Sequence, residues 1–88
     1  MKPKKQHSLE EAAEQCGLKI EVIIRFIAFE WIVPMDRQNQ MLDEEDLARA
    51  RLIWELQQEF GVNDEAVPII LHLIDQLNRT HLELKTRI

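Results

Sequence analysis

The chain has few of the residues that interrupt regular structure. It contains two glycines and three prolines in 88 residues, while 45% of its residues are hydrophobic. This composition excludes a loop-rich or disordered chain and is typical of one small globular domain. Because a chain of this length buries a limited core, self-association would add to its stability.

Cysteine is represented once, by Cys16. An intramolecular disulfide is therefore excluded, which fits a reducing compartment. Cys16 lies at the end of a predicted helix beside Gly17, so we expect it to be a small buried apolar residue. A redox or nucleophilic role would need a partner group that the sequence does not supply.

Long apolar runs are also missing. No run reaches the roughly 18 residues that a membrane-spanning helix requires. The basic start, MKPKKQH, is followed by an acidic segment rather than by an apolar one, which does not predict a signal peptide. We expect a cytoplasmic protein without membrane contact.

Positive charge is scarce, because the net charge is −5 at pH 7. Three of the lysines, Lys2, Lys4 and Lys5, lie in the first seven residues, for which we expect disorder. Nucleic-acid-binding domains usually carry a basic surface. The charge balance therefore favours a basic protein partner over DNA.

The motifs of catalysis and metal binding are lacking too. Two distant glycines cannot form a phosphate-binding loop, and no carboxylate stands alone in an apolar stretch as a tuned acid would. His72 and Asp75 share a helix face, but two ligands do not make a metal site, and we expect a solvated polar strip. The sequence predicts a protein that is not an enzyme and needs no cofactor or metal.

Capping signals and helical periodicity predict the first two helices. Ser8 and Glu11 have the capping-box spacing that begins a helix, and Gly17 suits its end. The second helix is predicted over residues 19–31. Its predicted core face consists of Ile20, Ile23, Ile24, Ile27 and Trp31.

A small wing and a third helix are predicted next. Pro34 should end the second helix, and residues 32–33 and 41–42 should form the two strands of the wing. Asp43 caps the third helix and Gly61 ends it. The predicted apolar positions of this helix are Leu47, Ala50, Ile53, Trp54, Leu56 and Phe60.

The fourth helix has Asn63 as its predicted N-cap. Because Pro68 removes a backbone bond just past the first turn, we expect the regular helix to start a few residues later. From Val67 the apolar spacing becomes heptad-like and predicts a coiled-coil homodimer. Its interface would consist of Ile70, Ile74, Leu77, His81, Leu84 and Ile88. His81 would set the register, or alternatively make the dimer pH-sensitive.

The second helix holds the position of a recognition helix in a helix-turn-helix. A helix in the major groove needs polar groups for base edges and cations for phosphates. Within residues 20–33 Arg25 is the one basic residue, beside the acids Glu21 and Glu30. A second apolar strip lies roughly opposite the core face and consists of Val22, Phe26 and Phe29. Either the two phenylalanines pack under the fourth helix or the wing, or the strip is an exposed protein interface.

The order of these elements resembles the MerR-type winged helix. The matching segments are residues 9–17, Arg25 within IIRF, residues 31–34 and residues 42–47, LDEEDL. MerR regulators usually carry a Tyr-rich segment with a Glu after that arginine and a Gly-Tyr-Arg wing. This chain instead has Phe26, Ile27 and Ala28 in the first segment and Gln38, Asn39 and Gln40 in the second. The phosphate contacts of such regulators are therefore missing.

A closer resemblance is to the CbpM-type chaperone modulators, which are small MerR-like proteins. It is carried by residues 63–67, NDEAV, and residues 69–77, IILHLIDQL. The resemblance implies that the chain binds the J-domain of a DnaJ-like co-chaperone and blocks it from stimulating Hsp70. J-domains expose a basic helix, to which an acidic and partly apolar surface would be complementary.

These observations predict an all-α, MerR-like winged helix-turn-helix with a small β wing and a long C-terminal dimerisation helix. We expect a disordered segment at residues 1–7, the winged domain at residues 8–62 and the dimerisation helix at residues 63–88. The predicted protein-binding residues are Val22, Phe26, Phe29, Glu21, Glu30, Glu10 and Glu14. The alternative is a MerR-family transcriptional regulator that binds DNA through Lys19, Arg25 and Arg37.

Overall fold

The computed structural model describes residues 5–87, with side chains described through residue 81. Six elements follow along the chain. They are β1 (Gln6–His7), α1 (Leu9–Cys16), α2 (Ile20–Ala28), β2 (Leu42–Asp43), α3 (Glu44–Glu59) and α4 (Val67–Arg87). The predicted helical architecture is confirmed, and a two-stranded sheet stands beside the helices.

Helix α1 begins and ends where the sequence predicts. The Ser8 hydroxyl accepts the Glu11 backbone N–H at 3.2 Å, and the Glu11 carboxylate accepts the Ser8 N–H at 3.0 Å. The second of these bonds holds the pKa of Glu11 below its usual value. Gly17 adopts a left-handed φ of 69°, so the Leu18 N–H reaches back to the Ala13 carbonyl at 3.0 Å. Both helix ends thus satisfy backbone groups that would otherwise lack partners.

Helix α2 is shorter than predicted, since it ends at Ala28. Glu30 adopts a left-handed φ of 61°, which reverses the chain. The N–H groups of Trp31 and Ile32 then donate to the Phe26 carbonyl, at 2.9 and 3.3 Å. This is a Schellman-type termination in which Glu30 takes the place that glycine usually fills. The reversal turns Trp31 and Ile32 into the core, where they are 6% and 0% exposed.

The buried face of α2 also differs from the predicted one. Ile23 and Phe26 are completely buried, whereas Ile24, predicted in the core, is 48% exposed. Ile20 and Ile27 are only partly buried. Helix α2 is apolar around most of its circumference, so the 3.6-residue period does not determine which side faces inward. Packing against α1 and the reversed segment that follows α2 selects the Ile23–Phe26 side.

Helix α3 starts at a second capping box, as its sequence predicts. The Asp43 carboxylate accepts the Asp46 N–H at 2.9 Å, and Asp46 accepts the Asp43 N–H at 3.1 Å. Burial raises the pKa of the Asp46 carboxyl, and repulsion from Asp43 adds to this rise. At the other end Gly61 has a φ of 64°, and the Val62 N–H donates to the Leu56 carbonyl at 3.1 Å. Of the predicted apolar positions, Leu47, Ala50 and Ile53 are buried, Trp54 and Leu56 are partly buried, and Phe60 is exposed.

The predicted wing does not form as a hairpin. Residues 32–33 are not a strand. Strand β2 pairs instead with β1, antiparallel, so that His7 lies opposite Leu42. The loop that leads into β2 is closed by an isolated bridge between Asp36 and Met41. The predicted small sheet is present, but it joins Gln6–His7 to Leu42–Asp43, and neither of these strands pairs with residues 32–33.

His7 accounts for the pairing that the structure adopts. Its side chain is 1% exposed, and its Nε2 lies 2.8 Å from a carboxylate oxygen of Glu44. The Gln15 amide nitrogen lies 3.2 Å from Nδ1. If this amide donates to Nδ1, the ring donates from Nε2 to Glu44, a tautomer assigned from the network. The sequence predicts disorder through residue 7, and the structure corrects this at Gln6 and His7.

Helix α4 begins after a separate turn. The Asn63 side chain accepts the Ala66 N–H at 2.9 Å, and the regular helix starts at Val67. The predicted late start is confirmed, because Pro68 then lies in the first turn, where its missing N–H costs little. Val67 and Leu71, which are 0% and 3% exposed, dock this part of α4 on the core.

Arg49 links three separate parts of the fold. Its Nε donates to the Trp31 carbonyl at 2.7 Å. Its two terminal nitrogens donate to the Asp75 carboxylate at 3.0 and 3.3 Å. The side chain leaves α3 and reaches both the segment after α2 and the middle of α4, and we call this arrangement the Arg49 bridge. Such bidentate contacts fix orientation as well as distance.

Replacing Arg49 with alanine should lower the free energy of unfolding by about 1–2 kcal/mol, because the Trp31 carbonyl loses its donor. The ion pair with Asp75 is partly exposed, so solvent screening keeps its share small. Urea denaturation followed by circular dichroism measures the change. Arg51→Ala, at an exposed arginine on the same helix, is the control and should cost less than about 0.5 kcal/mol. Equal losses in the two variants would contradict a specific role for the bridge.

Candidate functional site

The outward side of α2 and the reversal after it form the candidate site, which we call the α2 surface. Its exposed members are Glu21, Ile24, Arg25, Ala28, Phe29 and Glu30. Ile24 and Phe29 are 48% and 49% exposed. Half-exposed large apolar side chains on a helix in this position suit contact with another macromolecule better than contact with a small polar ligand.

The predicted apolar strip of Val22, Phe26 and Phe29 does not exist as one exposed surface. Phe29 is half exposed and Val22 is partly buried, but Phe26 is completely buried. The prediction of an exposed Phe26 is therefore wrong. The alternative, that both phenylalanines pack under the fourth helix or the wing, does not hold for half-exposed Phe29. The Trp31 ring lies between the two phenylalanines, with centroids 5.6 Å from Phe26 and 4.9 Å from Phe29. Phe29 thus rests on an aromatic layer that continues into the core.

Carboxylates flank the α2 surface. Glu21 in the first turn of α2 and Glu30 after its last turn are both exposed. Glu10 and Glu14 are exposed on α1. Among the described residues, no contact joins the carboxylates of α1 to those of the α2 surface. The four predicted acids are all at the surface, on two helices.

Arg25 is the only cation on the α2 surface. It borders an open groove that Asp64 and Glu65, from the turn before α4, also border. Its guanidinium carbon lies 5.8 Å from the centre of the Phe26 ring. Two carboxylates along the same groove lower the local potential and therefore weaken the attraction of Arg25 for a phosphate.

The three residues of the DNA-binding alternative do not form one basic stripe. Lys19 is the exposed N-cap residue of α2. Arg37 lies in the loop before β2 and borders a cavity with Glu30, whereas Arg25 borders the separate groove. Phosphate contacts that position a duplex usually come from several cations along one surface.

The predicted dimer seam is partly visible on α4. Ile70 and Ile74 are partly buried, Leu77 is 69% exposed, and His81 is exposed. The side chains of Leu84 and Ile88 lie outside the described residues. Two further apolar side chains of α4, Ile69 and Leu73, are 64% and 53% exposed. Ile69, Leu73 and Leu77 therefore form an exposed apolar surface on α4, on the side away from buried Val67 and Leu71.

The other residues that the sequence singled out for reactivity or metal binding have structural surroundings. Cys16 is buried, its thiol donates to the Leu47 carbonyl at 3.6 Å, and burial raises the pKa of the thiol. These features confirm the predicted role of a small buried residue, because a raised pKa disfavours the reactive thiolate. Asp75 does not pair with His72 but with Arg49. Within the described part of the chain, no group of three or more His, Cys, Asp or Glu residues could hold a metal ion.

Sequence reasoning missed two residues that shape the site. Arg49 follows no motif, and its two partners are 18 and 26 residues away along the chain. His7 lies just before the first N-cap, where it looks like part of a basic tail. A contact that depends on tertiary placement leaves no periodic signal, so neither role could be found from spacing.

The contrast between Phe26 and Phe29 gives a direct stability test. Phe26→Ala should cost about 3–4 kcal/mol of unfolding free energy, because it leaves a cavity in the core. Phe29→Ala should cost about 1 kcal/mol or less, because its ring is half exposed and rests on one neighbour. Chemical denaturation of the two variants measures both values. Similar losses in the two variants would show that the burial assigned to α2 is wrong.

Across the described residues, none of the helices combines the length and hydropathy that a bilayer crossing requires.

Comparison with known proteins agrees with the fold. Residues 7–86 match the family of MerR HTH family regulatory proteins. No curated protein matches the chain significantly. The matched region includes α1, α2, β2 and α3 entirely, one residue of β1, and all but the last residue of α4. The predicted fold class, a MerR-like winged helix-turn-helix, is confirmed, and the chain belongs to the MerR HTH family of regulatory proteins.

Proposed function

We propose that this chain is a non-enzymatic regulator that binds another protein through the α2 surface. The observation that carries the proposal is the composition of that surface: half-exposed Ile24 and Phe29, two carboxylates and one cation. A helix that reads DNA needs polar groups for base edges and cations for phosphates. Two half-exposed large apolar side chains beside charged groups suit a protein partner better than base edges and phosphates.

The partner we propose is the J-domain of a DnaJ-like co-chaperone, which the chain would prevent from stimulating Hsp70. The partner's identity rests on the resemblance of residues 63–77 to the CbpM-type chaperone modulators. J-domains expose a basic helix, and a chain of net charge −5 is complementary to it. Such a partner would place the protein in the cytoplasm.

Within this proposal the residues have different roles. Ile24 and Phe29 are the apolar contacts, and Val22 is partly buried against the core. Phe26 acts only by supporting the aromatic layer from inside. The acids that face the basic partner are Glu21, Glu30, Glu10 and Glu14.

Introducing a charge at the apolar contacts should abolish binding. Ile24→Asp and Phe29→Asp should each weaken the affinity for a purified DnaJ-like co-chaperone by about 30-fold or more, the usual cost of losing a hot spot of about 2 kcal/mol. Isothermal titration calorimetry measures the affinity, and Hsp70 ATPase assays measure the lost inhibition. Phe60→Asp makes the same chemical change at a 73% exposed phenylalanine outside the α2 surface, and should bind like the unaltered chain. Normal binding by folded Ile24→Asp and Phe29→Asp would contradict the proposed interface.

DNA binding is the second candidate function, and membership of a helix-turn-helix family favours it. It would use Lys19, Arg25 and Arg37. A gel-shift titration against random duplex separates the two functions. Salt-sensitive binding at micromolar protein that weakens in an Arg25→Ala variant would support DNA binding and contradict our first proposal.

We also propose that the chain forms a homodimer through α4. The supporting observation is the exposed apolar surface of that helix, including Leu77 at 69% and Leu73 at 53% exposure. Exposed apolar patches of this kind are unusual on monomers. Ile70 and Ile74 are partly buried, and Ile74 borders the groove between α3 and α4. Leu77 and His81 therefore carry the described part of the seam, with His81 as the polar position that sets the register.

A charge in this seam should separate the protomers. Leu77→Lys should shift the molecular mass measured by light scattering from dimer to monomer at micromolar concentration, because it buries an unpaired charge. Gln76→Lys adds the same charge to the neighbouring exposed position and should remain dimeric. A monomeric unaltered chain, or a dimeric Leu77→Lys variant, would contradict dimerisation through this seam.

A further inference from the structure

Two cavities lie on either side of the Arg49 bridge. The first, of about 220 Å³, is bordered by Phe29, Pro68 and His72. The second, of about 570 Å³, is bordered by Ala48 and Leu52 of α3 and by Ile74 of α4. Glu30, Trp31, Arg49 and Asp75 border both cavities. They therefore form one continuous depression, which we call the bridge cleft.

The walls of the bridge cleft are apolar on each side of the bridge. Phe29, Trp31 and Pro68 give the first cavity an aromatic and aliphatic lining. Leu52 and Ile74 give the second cavity an aliphatic lining between two helices. Grooves of this kind between helices accept the apolar face of an added helix.

The rim of the bridge cleft is acidic. Glu30 and Asp75 border both cavities, and Glu45 and Asp46 border the second. Arg49 is the only cation that borders either cavity in the described part of the chain. Its guanidinium already donates to the Trp31 carbonyl and to both Asp75 oxygens. The net potential in the cleft is therefore negative, and a cationic occupant is favoured.

The cleft is preorganised by the contacts that build the fold. The Arg49 bridge holds its floor, and the Phe29 and Trp31 rings pack at 4.9 Å. The reversal at Glu30 is locked by two backbone bonds to the Phe26 carbonyl. A site that needs no rearrangement loses less free energy on binding.

We propose that a basic amphipathic helix of the partner protein docks in the bridge cleft and places one aliphatic side chain in each cavity. Its lysines or arginines would face Glu30 and Glu45. The inference rests on the proposed function, since it assumes a protein partner, and it extends the contact from the α2 surface to α3 and α4. Phe29 and Glu30 belong to both regions, so one partner can cover them together.

A second copy of the chain fits the cleft less well. Beyond Leu71, the exposed polar side chains of α4 that the structure describes include Asp75, Gln76, Asn78 and Arg79. Together these four carry no net charge. The whole chain has a net charge of −5. Helix α4 of a second copy would leave the acidic rim of the cleft without a surplus of cations, whereas a basic helix would neutralise it.

Filling each cavity tests the inference. The probe is a fluorescein-labelled amphipathic peptide whose helical face carries leucines flanked by lysines, and fluorescence anisotropy measures its affinity for the full chain. Ala48→Trp and His72→Trp each place a large side chain at an exposed position that borders one cavity. Each should weaken peptide binding by about tenfold or more. Gln76→Trp makes the same addition one turn further along α4, borders neither cavity, and should bind within about twofold of the unaltered chain.

Two peptide controls separate the apolar and charged contributions. The same peptide with every leucine replaced by alanine should bind at least about tenfold more weakly, because it cannot fill the cavities. Glu30→Gln should weaken binding and reduce its salt dependence. Equal binding of both peptides, or equal binding by all three tryptophan variants with unchanged circular dichroism, would overturn the inference. Dissociation of a dimer by Ala48→Trp and His72→Trp would also overturn it, since a second copy would then occupy the cleft.

A parallel titration with a purified DnaJ-like co-chaperone keeps the two proposals apart. If the co-chaperone binds and only Ile24→Asp and Phe29→Asp disturb it, the proposed function stands and the bridge cleft does not. The lysine–leucine peptide could instead bind more weakly to Ala48→Trp and His72→Trp, while the co-chaperone does not bind the unaltered chain. The chemistry of the cleft then stands and the proposed partner does not. Loss of co-chaperone binding in Ala48→Trp and His72→Trp, with normal binding by Gln76→Trp, supports both the proposed function and the bridge cleft.

Discussion

The placement of α4 depends on one polar side chain, Arg49. Val67 and Leu71 bury the start of α4 in the core. Arg49 donates to the Trp31 carbonyl and to both oxygens of Asp75, so the segment after α2, the middle of α3 and α4 are fixed to one another. A planar, five-donor side chain suits this task because it can serve two acceptors in different directions.

This bridge determines what the protein presents to a partner. It holds Trp31 under Phe29 and keeps the first turns of α4 beside the α2 surface. The turn with Asp64 and Glu65, in which Asp64 accepts a hydrogen bond from Gln57 of α3, borders the groove of Arg25. The helix-turn-helix frame is thus retained, while the surface that would meet phosphates becomes apolar and acidic. We regard the change of surface, rather than a change of fold, as the basis of the proposed function.

The parts of the fold that depend on local chemistry could be predicted from the sequence. Ser8 with Glu11 and Asp43 with Asp46 cap their helices within three residues, and Gly61 ends α3 by a left-handed turn. The late start of α4 follows from a single proline. Each of these features depends on neighbours in the chain, so spacing alone reveals it.

The parts of the fold that depend on tertiary contacts could not be predicted from the sequence. Helix α2 is apolar on nearly every side, so its orientation, with Phe26 inside and Ile24 outside, was decided by its neighbours. Met41 bridges to Asp36, whereas Leu42 and Asp43 pair with β1, in which His7 is buried. The large apolar side chains that α2 exposes are therefore Ile24 and Phe29, whereas the sequence predicted an exposed strip of Val22, Phe26 and Phe29.

The most direct measurement of the central claim is a two-dimensional NMR titration of the isotope-labelled chain. Unlabelled full-length DnaJ-like co-chaperone is added in one series and random DNA duplex in the other. Our account predicts that the co-chaperone perturbs the amides of Ile24 and Phe29 and the Trp31 indole, while the duplex leaves them unchanged at physiological salt. Perturbation of Lys19, Arg25 and Arg37 by the duplex, with no effect of the co-chaperone, would contradict it.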